Sequence, residues 1–265
     1  MNDAAIGIFD SGMGGLTVMR ALTERLPNER FVYLGDTARL PYGTKSADTV
    51  SRYAVQAAGL LVKRRIKLLV VACNTASGVA LPALREAFAP LPVIDVIAPG
   101  AEAALAASPK GPIAVIATEG TVKAGAYLRA IHARAPEVEV MQQACPLFVP
   151  LAEEGLIAGE IADLVAHRYL DPLLAKQPHA LVLGCTHYPA LKQTIAKVAG
   201  PEIVLVDSAA TTALAVEKRL RDDGLLHTGA PSREFLATDA AERFARVGEI
   251  FLGTKPDHVE LVDLQ

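Results

Sequence analysis

The chain of 265 residues carries 29 acidic and 26 basic side chains, a formal net charge of −3, and is 51% hydrophobic. That length buries one large α/β core or two modest ones, and near-balanced charge with a sequence pI of about 6.1 and no long basic run argues against a nucleic-acid footprint. A mean hydropathy of +0.30 would suit a membrane protein, yet the longest nearly uncharged reach, 93–109, contains Asp95, Glu102 and two prolines, so no spanning helix and no membrane partner are expected.

From the amino terminus, MNDAAIGIFDSG enters an apolar run at 5–9 almost at once. No basic segment or long apolar stretch precedes it, which predicts neither a secretory nor an organelle signal and a cytoplasmic address. An amphipathic stretch follows at 15–26, then a strand at 31–34, a helix at 46–65 and a strand at 67–72. The KRRIK run at 63–67 reads as the basic close of that helix, where cations offset the macrodipole. Further strands are expected at 93–96, 112–116, 138–142, 180–184, 203–206, 234–237 and 258–262, with helices at 121–134, 158–176, 188–199 and 208–222. Near-continuous apolar strands alternating with amphipathic helices predict an α/β protein with mostly parallel, doubly covered sheets.

The chain also echoes itself. IGIFDSGMGG at 6–15 parallels IAVIATEGTV at 113–122, and VVACNTAS at 70–77 parallels LVLGCTHY at 181–188. The offsets are 107 (6 to 113) and 112 (73 to 185), similar enough to predict two related α/β halves. In open parallel sheets a ligand sits beyond the carboxyl ends of strands, and all four polar turns fall at such ends.

Three widely spaced cysteines without a CxxC pair argue for reduced thiols, not a disulfide framework. A lone buried cysteine is usually a small hydrophobe, and Cys145 in QACPLF is read so. Cys73 and Cys185 differ, because they occupy matching positions and each precedes polar residues, Asn74 and Thr75 or Thr186, and then a helix start. A helix start lowers a thiol's pKa and offers backbone N–H groups to a carboxylate. Cys185 with His187 also suits nucleophilic hydrolysis, whereas zinc-ligand spacings are absent and no metal is expected. GMGG at 12–15 departs from a dinucleotide fingerprint. Asp10 suits a helix cap or an acid/base role, and the loop at 35–46, with Pro41, Tyr42 and Gly43, is a candidate pocket wall. Two thiols across one ligand have a specific use: inverting an α-carbon needs a proton removed from one face and delivered to the other.

Taken in order, FDSGMGGLTV, GDTARLPYG, VVACNTAS, CPLFVPLAEEG and GCTHYP span nearly the whole chain, and this set resembles the glutamate racemases of the cofactor-independent amino-acid racemase superfamily. The resemblance implies two α/β domains related by a pseudo-twofold axis with the active site between them. It places residues 1–97 plus 208–265 in the first domain and 98–207 in the second. It further implies glutamate as the small-molecule partner, D-glutamate supplied to peptidoglycan, and no cofactor; a homodimer stays open. Cys73 would serve D-glutamate and Cys185 L-glutamate, assisted by Asp10, His187 and Glu153, with Glu154 a confusable neighbour. Substrate contacts would come from Asp10, Ser11, Pro41, Tyr42, Gly43, Asn74, Thr75, Thr118, Thr121 and Thr186. Arg39 is the sole arginine in these motifs and is not expected to hold the substrate. An aspartate or hydantoin racemase would share the thiols, and a Cys–His hydrolase or a binding protein without chemistry are the other classes. Some members carry an amino-terminal extension tied to control by a cell-wall precursor, and the early first strand predicts activity independent of such an activator.

Overall fold

The structure, a computed structural model, describes residues 2–264. In chain order these form β1 (Ile6–Asp10), α1 (Leu16–Arg25), β2 (Arg30–Gly35), α2 (Ala47–Lys63), β3 (Leu68–Val71), α3 (Asn74–Val79), α4 (Leu81–Ala87), β4 (Val93–Asp95) and α5 (Ile97–Ala107). There follow β5 (Ile113–Ala117), α6 (Glu119–Ala124), α7 (Ala126–His132), β6 (Val140–Ala144), α8 (Phe148–Glu153), α9 (Glu160–Leu174), β7 (Ala180–Gly184) and α10 (Lys192–Ala199). The chain then adds β8 (Val204–Asp207), α11 (Ser208–Asp222), β9 (Ser232–Ala237), α12 (Ala241–Leu252) and β10 (Val259–Leu261).

Every expected strand forms, with ends displaced by a residue or two. They build a six-stranded sheet, order β10-β9-β2-β1-β3-β4, and a four-stranded sheet, order β6-β5-β7-β8. All pairings are parallel. The sequence echo is a repeat of register: Ile6 of β1 aligns with Phe31 and Leu68, and Ile113 of β5 aligns with Val140 and Ala180. β1 and β3 therefore correspond to β5 and β7, and their carboxyl ends share one edge of each sheet.

Strands β1, β5 and β7 are buried along their full length, which is why they read as unbroken apolar runs. Alternate side chains of β1 go to different cores. Ile6 and Ile8 join Leu16 and Met19 in a cluster that continues to Ile113, Val115 and Leu183 of the second sheet. Phe9 instead joins Val71, Val50, Ala54 and Leu61 on the opposite face. Each such Val or Leu withdrawn from water contributes about 1.5–3 kcal/mol before entropy is charged against it.

Two expectations need correction. The helix read over 121–134 breaks at Gly125, whose φ of 61° is left-handed, so α6 ends and α7 starts there. The basic run at 63–67 does not simply close α2. Beyond Lys63 the chain turns through Arg65 at φ 58°, and Lys67 points inward, 2.7 Å from Glu29, with side-chain exposures of 2% and 1%. Lys67 Nζ also donates to the carbonyls of Asn2 (3.1 Å) and Leu225 (2.8 Å), while Glu29 accepts from the His227 N–H at 2.8 Å. This cluster ties the returning segment near 225 to the start of β3. Lys67→Met should leave the Glu29 carboxylate buried without its cation and cost about 3–5 kcal/mol in urea unfolding; a loss under about 1 kcal/mol would show that Glu29 is not dependent on the pair.

Candidate active site

A cavity of about 270 Å³ opens beyond the carboxyl ends of both sheets. Ser11 enters it after β1, Cys73, Asn74 and Thr75 after β3, Thr118 after β5, and Cys185, Thr186 and His187 after β7. Pro41, Tyr42 and Gly43 supply the wall after β2. Of the expected residues, Asp10, Thr121 and Glu153 lie behind this lining.

Cys73 caps α3, its sulfur accepting from the Ala76 N–H at 3.4 Å and lying 3.5 Å from Ser11 Oγ. The expected lowering of this thiol by a helix start does not hold. Burial, followed by the Asp10 charge, pushes Cys73 up to about 12, against a smaller opposing contribution from the Ala76 N–H. The reason is that α3 has only six residues, while the carboxylate at the end of β1 is completely buried. Asp10 itself is raised by burial, partly offset by His187. Its Oδ2 accepts from the Gly12 N–H at 3.0 Å, and Oδ1 has no hydrogen-bond partner among the described residues.

The surroundings of Cys185 differ. A 3₁₀ turn, Tyr188–Leu191, intervenes before α10, so the α-helix expected directly after this cysteine is delayed. His187 Nδ1 lies 3.8 Å from Cys185 Sγ, and its Nε2 lies 3.0 Å from Glu153 Oε1. Burial alone would lower His187, but the hydrogen bonds and charges of Cys185 and Glu153 overrule it and push the imidazole up to about 10. Burial would likewise raise Glu153, yet its bonds to His187 and Arg243 hold it below the usual carboxylate range. Glu154 is exposed, which leaves Glu153 as the member of the pair that reaches the site. Gly14 is required here because a Cβ would sit 2.4 Å from His187 Nδ1 and 2.5 Å from Thr186 Oγ1.

Hydroxyls close the remaining side. Thr75, Thr118 and Thr121 form a triangle with Oγ1 separations of 3.0, 3.0 and 3.3 Å, joining the turn after β3 to the cap of α6. Tyr127 donates to Asn74 Oδ1 at 2.7 Å, and the buried Nδ2 has no hydrogen-bond partner among the described residues. Tyr42 is held by the Asp36 carboxylate, which also accepts from Arg39 Nε at 2.7 Å. Arg39 lies 4.2 Å over the Tyr53 ring and does not line the cavity. Cys145 is buried and does not line the cavity, and its carbonyl accepts from Tyr188 at 2.9 Å.

Sequence reasoning missed Thr44, Glu119, Pro146, Val149 and Pro150 in the lining. All five lie inside segments already marked, Thr44 in the loop at 35–46, Glu119 in IAVIATEGTV and the other three in CPLFVPLAEEG, so the segments were found but not these members of them. Among the described residues no group of three or more His, Cys, Asp or Glu side chains is placed to hold a metal ion. No helix among them is long and apolar enough to cross a membrane.

The family described as Asp/Glu/Hydantoin racemase matches residues 6–216. The chain belongs to that family. It is 51% identical over 263 residues to a protein from Geobacter metallireducens named glutamate racemase, covering 98% of this chain and 97% of the relative. The fold matches a solved glutamate racemase from Francisella tularensis in complex with D-glutamate at TM-score 0.93 and 40% identity, covering 100% of this chain and 99% of that one. It also matches a glutamate racemase isoform from Bacillus anthracis at TM-score 0.95 and 37% identity, with coverage of 100% and 99%.

The His187 assignment is measurable without substrate. Its proton stabilises the fold fully below the ordinary histidine value near 6.5, and that contribution is lost as pH rises through about 10. By nitrogen-15 NMR, His187 should stay protonated through neutral pH, and Cys185→Ala should lower its pKa. Titration near 6.5 in the unaltered protein would contradict the relay.

Proposed function

We propose that the protein interconverts L- and D-glutamate without a cofactor, using Cys73 and Cys185 as two acid/base groups. The observation that carries this is that the two thiols follow equivalent strands, β3 and β7, and line one cavity. Glutamate is favoured as substrate because full-length relatives at about half identity carry that name.

In the L-to-D direction the Cys185 thiolate takes the α-proton, and the electron pair left on the α-carbon is delocalised into the adjacent carboxylate. Cys73, kept as a thiol by burial and Asp10, delivers its proton to the opposite face. The site ends with Cys185 as thiol and Cys73 as thiolate, and exchange of protons with solvent resets it. D-glutamate runs the same steps backwards. The His187 imidazolium offsets negative charge on Cys185, and Asp10 attends the Cys73 side. Asn74 Nδ2, the hydroxyls of Ser11, Thr75 and Thr186, and nearby backbone N–H groups are the donors available to the two carboxylates. Tyr42 and its neighbours give the pocket a wall.

We assign residues 1–97 with 208–265 to one domain and 98–207 to the other, a division supported by the membership of β1–β4, β9 and β10 in one sheet and β5–β8 in the other. A cytoplasmic role supplying D-glutamate for peptidoglycan accords with three free cysteines. One observation favours a second reading. Cys185, His187 and Glu153 are aligned as nucleophile, base and orienting acid would be, but a hydrolase of that kind has no use for Cys73.

Polarimetry of L-glutamate with purified protein and no added cofactor should show rotation decaying to zero. Cys73→Ala and Cys185→Ala should each abolish that decay, and Asp10→Asn or His187→Asn should lose about 10²–10⁴ in kcat. Near-normal racemisation by Cys73→Ala would overturn the two-thiol assignment.

A further inference from the structure

Arg243 belongs to none of the motifs, yet it touches the carboxylate behind the imidazole. It sits on α12, between β9 and β10 of the six-stranded sheet, whereas Glu153 ends α8 beside the four-stranded one. Arg243 Nη2 donates to Glu153 Oε2 at 2.8 Å, while Glu153 Oε1 lies 3.0 Å from His187 Nε2. Both carboxylate oxygens are thereby engaged, and the group cannot rotate away from the imidazole without losing its cation. The same helix contributes Phe251, whose ring meets the His187 ring edge-on at 5.0 Å.

A folding role does not account for this contact. The side chains are 39% and 14% exposed, and ion pairs at such rims contribute little to stability. What the pair does control is direction. Without it, Glu153 is free to turn toward solvent, His187 loses the acceptor on Nε2, and Nδ1 is no longer aimed at the Cys185 sulfur 3.8 Å away.

We propose that Arg243 is a positioning residue for the Cys185 half of the reaction, acting through Glu153 and His187; this rests on the racemase reading. The groups concerned are Cys185, His187 and Asp10 on the strand-end side, Glu153 on α8 and Arg243 on α12. Cys73 lies outside the relay and feels His187 only through Asp10, so its proton transfer should be affected less than that of Cys185. The two enantiomers of glutamate have equal free energy, so kcat/KM must fall equally in both directions. The asymmetry shows instead in which proton transfer limits the rate.

The test uses the intact chain as Arg243→Ala, Arg243→Lys, Glu153→Gln and the Arg243→Ala/Glu153→Gln double variant, with Arg243→Gln in reserve should the alanine variant not fold. Arg243→Ala should lose about tenfold in kcat/KM, the size of coupling between directly contacting groups, with an unchanged melting temperature. The primary isotope effect with α-deuterated L-glutamate should rise, because Cys185 removes that proton, while the effect with α-deuterated D-glutamate should fall toward one. Arg243→Lys should recover part of the rate, and the double variant should be no slower than Glu153→Gln alone. Isotope effects that change alike for both enantiomers, or a double variant showing the product of the two single losses, would overturn the inference while leaving the racemase reading intact. Absence of racemisation by the unaltered protein would overturn both.

Discussion

Parallel pairing of β1 between β2 and β3, repeated as β5 between β6 and β7, is the constraint on which the site depends. Parallel hydrogen bonding brings the carboxyl ends of all these strands to one edge, so each strand must turn into its helix there. The turns cannot be apolar, because backbone groups leaving the ladder need partners. Asp10, Cys73, Thr118 and the Cys185–His187 turn thus collect polar atoms at one place while the strands behind them stay fully buried. The chemistry occupies the region where the fold already requires polar side chains.

The repeat supplies two equivalent thiols, and the side chains around them break the equivalence. Cys73 faces a buried carboxylate that opposes its ionisation. Cys185 faces an imidazole kept charged by that thiol and by Glu153. A reaction that takes a proton on one face and gives one on the other benefits from this difference, since one group must begin as an anion and the other as an acid. Asp10 and His187 also interact electrostatically, so the two sides are not independent.

The strands were legible because burial on both faces demands unbroken apolar runs, and the repeat was legible because equivalent strands end in similar turns. Helix ends were less so. Gly125 splits a continuous amphipathic stretch through its backbone angle, which periodicity does not report. Lys67 resembled a solvated cation because its partner, Glu29, is distant in sequence. The pKa of Cys73 depends first on how deeply the thiol itself is buried and then on the Asp10 charge beside it, tertiary quantities that reversed an inference from local helix geometry. Arg243 was invisible for the same reason: its role exists only once α12 lies against α8. Gly125 apart, each failure involves a charge whose partner is set by packing, whereas most of the lining residues followed from strand-end position.

The central claim is that one thiol takes the α-proton and a different thiol returns one to the opposite face. The most direct measurement follows L-glutamate in deuterium oxide at low conversion and compares α-deuterium in the D-glutamate formed with that in the L-glutamate recovered. Two separate acid/base groups predict that the product carries deuterium from solvent while recovered L-glutamate remains essentially unlabelled. Deuterium appearing in recovered L-glutamate as fast as in the product would mean that a single group serves both faces, and would contradict the account.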